Sequence, residues 1–449
     1  MYGSQNEGRQ WLLHAMRVHF GTAGADAQAL PPMTEALLGD VLAMAEAQKI
    51  LPVVYGGLLA ALGADCIRGL LGADAAEALR MDVRRRGIGQ AVRSCDFRAL
   101  YQWIEARGIS LIVVKGALCR ALYPSPDARA SADEDLLVRA DQLRSLLALL
   151  SEIGARPAHG DALPAEDEEV REVGIVLPAG VGSAELRLGA GLYLELHTTL
   201  FGVGDGVGEA ADACFADAWE RAVRYDTGDG GSLLSLCPQE HLLYLILHAL
   251  KHFVHAGFGI RQICDIALFA RRYAGEIDFG ALYDTLVPLH AVHFAHAVFA
   301  AAEEFLGLCV PLGSAWRAEA RLDCEPLLQD VLSGGIYGGT DDARLHSVHL
   351  TLRAAENGGS TVRGLWNAAF PPAETMCRRY PWLKGRPYLL WAAFGARIFG
   401  YFGARLRRRG VEHGPADALR VGAERVRLLA YYGIGTDENG CRISDNCSN

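Results

Sequence analysis

The stretch that decides the fold runs from Leu111 to Val138, LIVVKGALCRALYPSPDARASADEDLLV. It is entered through ISLIVVKG, a continuous apolar and β-branched run whose length suits a strand covered on both faces. Gly116 ends that run, and ALCRALY, which follows directly, has the composition of a short helix. A strand that stops at glycine and opens into a helix lets backbone N–H groups meet a phosphate. DEDLLV then reads as a second strand. Side chains alternate along a strand, so Asp133 and Asp135 project from one face. Two carboxylates held side by side repel unless a cation lies between them. Mg²⁺, with Mn²⁺ as the alternative, takes oxygen ligands at roughly 2.0–2.1 Å and leaves positions for water or phosphate. An isolated DxD is more often a solvated acidic turn than a metal site; here the strand–glycine–helix context favours the metal. The same repulsion implies that Asp→Asn at either position should spare the fold and relieve strain in the metal-free state.

Working outward, DQLRSLLALLSEIG is a helix stopped by Gly154. GIVLP and AELRL read as further strands. GLYLELHTTL alternates, with Tyr193, Glu195 and His197 on one face and Leu192, Leu194 and Leu196 on the other. DTGDGGS, Asp226 to Ser232, is turn-rich, and Pro238 stands where a first helical residue belongs, before PQEHLLYLILHALKHF. Upstream, from Met33 to about Trp103, apolar residues recur at three- and four-residue intervals, as in helices. The whole reads as α+β, a mixed sheet with helices, flanked by helical domains. The expected boundaries are a helical region at 1–95, a core at 96–232, a helical domain at 233–435 and a polar, disordered tail at 436–449.

Composition narrows the function. The formal charge is −10 and 51% of the 449 residues are hydrophobic. An acidic chain lacks the basic surface that broad nucleic-acid binding requires, so an anionic substrate must be held locally, by a few donors and a metal. Eleven cysteines without a CxxC pair suit reduced thiols. The N-terminus lacks a signal-peptide layout, and the apolar runs are interrupted before they reach the length of a membrane span. A cytoplasmic location is expected. The basic residues are nearly all arginine; lysine occurs at positions 49, 115, 251 and 384, which draws attention to Lys115 and Lys251.

The segment resembles the bacterial uncharacterised nucleotidyltransferase family of the DNA polymerase β superfamily. The shared pattern is an apolar strand ending in Lys115-Gly116, a short helix ending near Tyr123-Pro124, Arg129, and then Asp133 and Asp135. LELHTTL matches the family's Xaa-Glu-Xaa-His strand. The resemblance extends over roughly Asp96 to Gly433, through a His-rich helix, an arginine-then-Asp helix and RRYPWLKGRPYLLWAAFGARIFG. It implies a polymerase β-like core in which Glu195 is the third carboxylate, on the strand adjoining the acidic pair. By that likeness Asp133, Asp135 and Glu195 would be the catalytic, metal-binding set, with two ions about 3.5–4 Å apart clamping the attacking and leaving oxygens. Gly116 would admit the phosphates, with Lys115 and Arg129 neutralising them and His197 nearby. Two departures stand out. Glu134 replaces an aliphatic residue, so it must turn outward or find a partner. Ala117 replaces a serine that would donate to phosphate.

His241, His248, His252 and His255 form one stripe on an α-helix. A packed polar seam between helices explains such a stripe as readily as a cleft does, and zinc is disfavoured because the HExxH form is absent. The cleft is favoured for the C-terminal end, with Lys251 and His252 contacting nucleotide. Arg261 and Asp265 are read as i,i+4 partners that brace their helix. The arginine clusters at 84–86 and 405–409 are read as solvated helix faces.

The expected reaction is transfer of a nucleoside monophosphate from a nucleoside triphosphate to a hydroxyl of a small molecule or peptide. Two alternatives remain open: the same chemistry on a protein side chain, and an inactive nucleotidyltransferase-like interaction protein. Neither a membrane span nor a stable nucleic-acid partner is expected.

Overall fold

A computed structural model describes residues 2–24, 30–158, 171–201, 206–227, 231–255, 258–318, 322–334, 427–429 and 431–434. The chain divides into two compact units, Met1–Ala249 with Gly259–Leu332, and Leu250–Phe258 with Ser333–Asn449.

The first unit opens with helices α1 (Tyr2–His19), α2 (Glu35–Ala47), α3 (Leu51–Leu62), α4 (Ala64–Leu71) and the long α5 (Ala73–Glu105). Thr34 caps α2 by accepting the Leu37 N–H, and Pro52 sits in the first turn of α3. Strand β1 (Leu111–Val113), helix α6 (Ala117–Arg120), strand β2 (Asp133–Val138) and helix α7 (Ala140–Glu152) follow as the sequence leads one to expect. Gly154 ends the last with φ 90°. Next come β3 (Arg156–Pro157), β4 (Glu172–Leu177), β5 (Leu192–His197), α8 (Gly206–Ala213), β6 (Val223–Asp226) and β7 (Ser232–Ser235). The helices α9 (Pro238–His255), α10 (Ile260–Arg272), α11 (Phe279–Leu286), α12 (Val292–Leu306), α13 (Ser314–Ala318) and α14 (Glu325–Gly334) complete the series. The last turn of α9 is assigned to the second unit.

Five strands form one mixed sheet in the order β1-β2-β5-β4-β3. Only the β2–β5 pair is parallel; the others are antiparallel. The α+β expectation holds, with two differences of detail. AELRL is not a strand: it lies in a turn closed by a single bridge between Gly182 and Arg187. β1 is at the sheet's edge, yet all three of its residues are buried, because β7 covers it and the Ser235 hydroxyl donates to the Val113 carbonyl at 2.5 Å. Asp226 and Ser232, the two ends of the turn-rich stretch, pair with each other in the β6–β7 ladder.

Beneath the sheet and helices of the first unit lies a core of Leu136, Leu194, Leu196, Phe97, Tyr101, Phe269 and Phe294, each at most 2% exposed. In the second unit the Phe253 ring meets Phe258 and Tyr432 at 5.7 and 6.3 Å. Among the described residues no single helix is long and apolar enough to cross a membrane. The segment RRYPWLKGRPYLLWAAFGARIFG, the cluster at 405–409 and the tail at 436–449 lie outside the described residues.

Candidate active site

The site grows out of one strand pairing. In the parallel β2–β5 ladder the register partners are Asp133 with Tyr193, Asp135 with Glu195 and Leu137 with His197. Partners in register share a face, so Asp133, Asp135, Glu195 and His197 converge on one side of the sheet. His197 Nε2 is 3.9 Å from Asp135 Oδ1 and 3.9 Å from Glu195 Oε2. Ligand atoms of Asp135, Glu195 and His197 all lie within 4.8 Å of one another, a set able to hold a metal ion. Two carboxylates and an imidazole make a mixed oxygen and nitrogen donor set for a divalent cation. Asp133 is not one of the three. Its Oδ2 is 4.0 Å from Lys115 Nζ.

Lys115 is buried and places its ammonium 3.2 Å from Asp135 Oδ2. Burial alone would lower its pKa, but Asp135 and Asp133 override that and hold it above the ordinary lysine range. Burial also works against the Asp133 carboxylate, yet Lys115 and then Arg261 bring its pKa below the usual value. Glu195 goes the other way. Burial and the charges of Asp135 and Asp133 push its pKa up to about 7, so the cluster carries an unmet demand for positive charge at Glu195. The pKa of the Tyr244 hydroxyl, buried on α9, is raised well above its ordinary value by burial and then by the charges of Asp135 and Glu195.

The opposite face of β2 resolves the first sequence departure. Glu134 is 5% exposed; it pairs with Arg120 and accepts the Ala117 N–H at 2.9 Å. It therefore turns inward and finds two partners. The Ala117 N–H, expected to face a phosphate, is committed to that carboxylate. Gly116 makes this possible: its φ is +56°, and a Cβ there would come 2.0 Å from Glu134 Oε2.

Arg129 is committed to protein partners. It is 1% exposed, and its Nε and Nη2 donate to the two oxygens of Asp265 at 2.8 and 2.6 Å. Its Nη1 reaches the Gly116 carbonyl at 3.5 Å. The guanidinium thus ties the Lys115-Gly116 turn to Asp265 on α10. Asp265, paired in the sequence reading with Arg261, instead takes Arg129 and the Tyr123 hydroxyl, the latter at 2.8 Å. Arg261 donates to the Ala130 carbonyl, close to the acidic strand. Sequence reasoning missed its place there, although its position one turn before Asp265 was a usable signal.

The histidine stripe divides. His241 is fully buried, 3.0 Å from the Ser235 hydroxyl and stacked on Phe269 at 4.5 Å. Burial lowers its pKa to about 3, so it is a neutral packing residue. His248 is half-buried, with its ring 5.3 Å from Tyr244. Lys251 is exposed and His252 half-buried, on the turn of α9 assigned to the second unit.

A family model described as "Uncharacterised nucleotidyltransferase" matches residues 35–307. The chain belongs to that family. The match begins at α2, well before the Asp96 at which the sequence resemblance starts, so the N-terminal helices from α2 onward are part of the family's unit. It ends at Gly307, short of the Gly433 to which the likeness was traced. No curated protein and no solved structure matches the chain. Membership makes the mixed sheet a polymerase β-like nucleotidyltransferase core, and the chain a transferase with a candidate metal-binding cluster at Asp135, Glu195 and His197.

Proposed function

We propose that this protein transfers a nucleoside monophosphate from a nucleoside triphosphate to a hydroxyl of a small molecule or peptide. The observation that carries this reading is the convergence of Asp135, Glu195 and His197, on neighbouring strands, beside Lys115 and Asp133. The acceptor oxygen forms a bond to the α-phosphorus. The bond from that phosphorus to the α–β bridging oxygen breaks, and pyrophosphate leaves with the electron pair. The acceptor proton passes to Glu195, whose side chain is 28% exposed and so open to the acceptor. Asp135, His197 and one Glu195 oxygen would hold a divalent cation, Mg²⁺ or Mn²⁺, which supplies charge neutralisation to the phosphates when bound. Lys115 and Asp133 complete the catalytic surround, Lys115 by adding a point charge toward the triphosphate. Gly116 keeps the turn narrow, and Arg129 holds its carbonyl. Roles for Lys251 and His252 in nucleotide binding belong to the same proposal.

A second reading has two observations in its favour. Glu134 occupies the Ala117 N–H and Lys115 the Asp135 carboxylate, as they would in an inactive, interaction-only member. One experiment separates the two. Each nucleoside triphosphate is added with Mg²⁺ or Mn²⁺ to the wild type and to Asp135→Asn, and the melting temperature is read. Metal-dependent stabilisation of the wild type alone supports the transferase; none with any triphosphate and either metal supports the interaction protein. Labelled triphosphate in a lysate of the source cell then distinguishes a protein acceptor from a small one. The expected location is cytoplasmic.

A further inference from the structure

Beside the point charge of Lys115, the polyphosphate needs a side chain with free donors, and Arg129, expected to supply them, is spent. Arg129 is enclosed by Asp265 and Gly116, and the Lys115 ammonium lies against two aspartates. Arg261 is placed differently. It stands on the first turn of α10, one turn before Asp265. Residues four apart share a helix face, and Asp265 fixes that face against the segment joining β1 to β2 through Arg129 and Tyr123. Arg261 is thereby delivered to the start of β2, where Nη1 donates to the carbonyl of Ala130, three residues before Asp133.

A guanidinium has five donors in a planar fork. For Arg261 one goes to Ala130. Its Nε is buried with no hydrogen-bond partner among the described residues, and no carboxylate among them lies within ion-pair distance of it. The side chain is half-buried, so the group is neither sealed in nor freely solvated. A buried donor without an acceptor carries a standing cost, which an incoming anion removes.

We infer that Arg261 receives the polyphosphate of the nucleoside triphosphate, the part first read into Arg129. This rests on the transferase reading above and deepens it: the substrate is recognised by its phosphates through the Arg261 fork, and Arg129 and Asp265 act as positioning residues that aim α10.

The test uses the full chain with Mg²⁺ or Mn²⁺ and, as probes, inorganic tripolyphosphate and the four common nucleoside triphosphates. Affinity is measured by calorimetry for wild type, R261Q and R261K, and the ligand-free melting temperature is recorded beside it. R261Q should lose about tenfold or more in tripolyphosphate affinity, the scale of one charge-assisted contact, with R261K between it and the wild type. A bracing role alone would lower the ligand-free melting temperature of R261Q and leave its affinity at the wild-type value, which overturns the inference. Should R261Q fail to fold, R261K decides: it keeps the charge but loses the fork, so wild-type affinity in R261K also overturns it. If the wild type binds none of the probes with either metal, the transferase reading itself falls, and the two failures are thereby distinguished.

Discussion

At Gly116 the backbone φ of +56° and the Glu134 carboxylate leave no room for a side chain. Gly116→Ala should therefore destabilise by about 2 kcal/mol or more, combining left-handed strain with displacement of a buried charge; a melting temperature within a degree of the wild type would refute this packing. Asp135 carries the other residue-scale correction. Two repelling carboxylates suggested that Asp135→Asn would stabilise the metal-free protein, but the Lys115 ammonium is buried against Asp135 at 3.2 Å. Removing Asp135 weakens the pairing of a buried cation, so the variant should melt lower without metal, by the order of 1–3 kcal/mol. Chemical denaturation in chelator checks the sign. The acidic pair was legible because strand alternation is local. Lys115's reach to it was not, since that depends on where an edge strand ends in space.

At the scale of the element, α10 is held by one buried pair. Arg129 and Asp265 are at most 2% exposed. Removing one partner of such a pair costs about 3–5 kcal/mol, so Arg129→Ala should be severely destabilised in denaturant titration, whereas Arg→Ala at the exposed Arg85 should cost little. The pair also sets a pH dependence. Burial would raise the Asp265 pKa, but Arg129, by charge and hydrogen bonds, holds it below the ordinary carboxylate value. A depressed folded-state pKa means stability that is fully present above the unfolded value of about 3.9 and is lost as pH falls through the folded one. The stability gap between wild type and Asp265→Asn should thus be constant at neutral pH and shrink on acidification below about pH 4; a gap that grows there would contradict the assignment. The helical period put Arg261 and Asp265 on one face, but it could not say that the partner of Asp265 comes from 136 residues away.

For the whole first unit, α1 lies outside the residues matched by the family yet is tied into the fold. Arg9 pairs with Glu325, Arg17 donates to the Phe305 carbonyl at 2.9 Å, and Thr22 donates to the Leu306 carbonyl at 2.6 Å. Against α3 the approach is close enough that a Cβ on Gly57 would meet the Ala15 carbonyl at 1.8 Å. Deleting residues 1–24 should expose the apolar faces of α2 and α3 and lower the melting temperature by several degrees or abolish soluble expression. An unchanged melting temperature would show that α1 is dispensable.

By itself, the sequence determined the α+β class, the strand–glycine–helix turn, the shared face of Asp133 and Asp135, and the alternation that points Glu195 and His197 the same way. These follow from backbone geometry with periods of 2 and 3.6, which a chain carries in its local pattern. Only the tertiary structure decided the rest. The parallel pairing of β2 with β5 set Asp135 opposite Glu195. Glu134 was turned inward to Arg120 and Ala117, Arg129 was spent on Asp265, and His241 was given to the core. Each of these is a choice among partners distant along the chain. Such choices are made by burial, because a charge or imidazole removed from water must take whatever donor or acceptor the fold brings within reach.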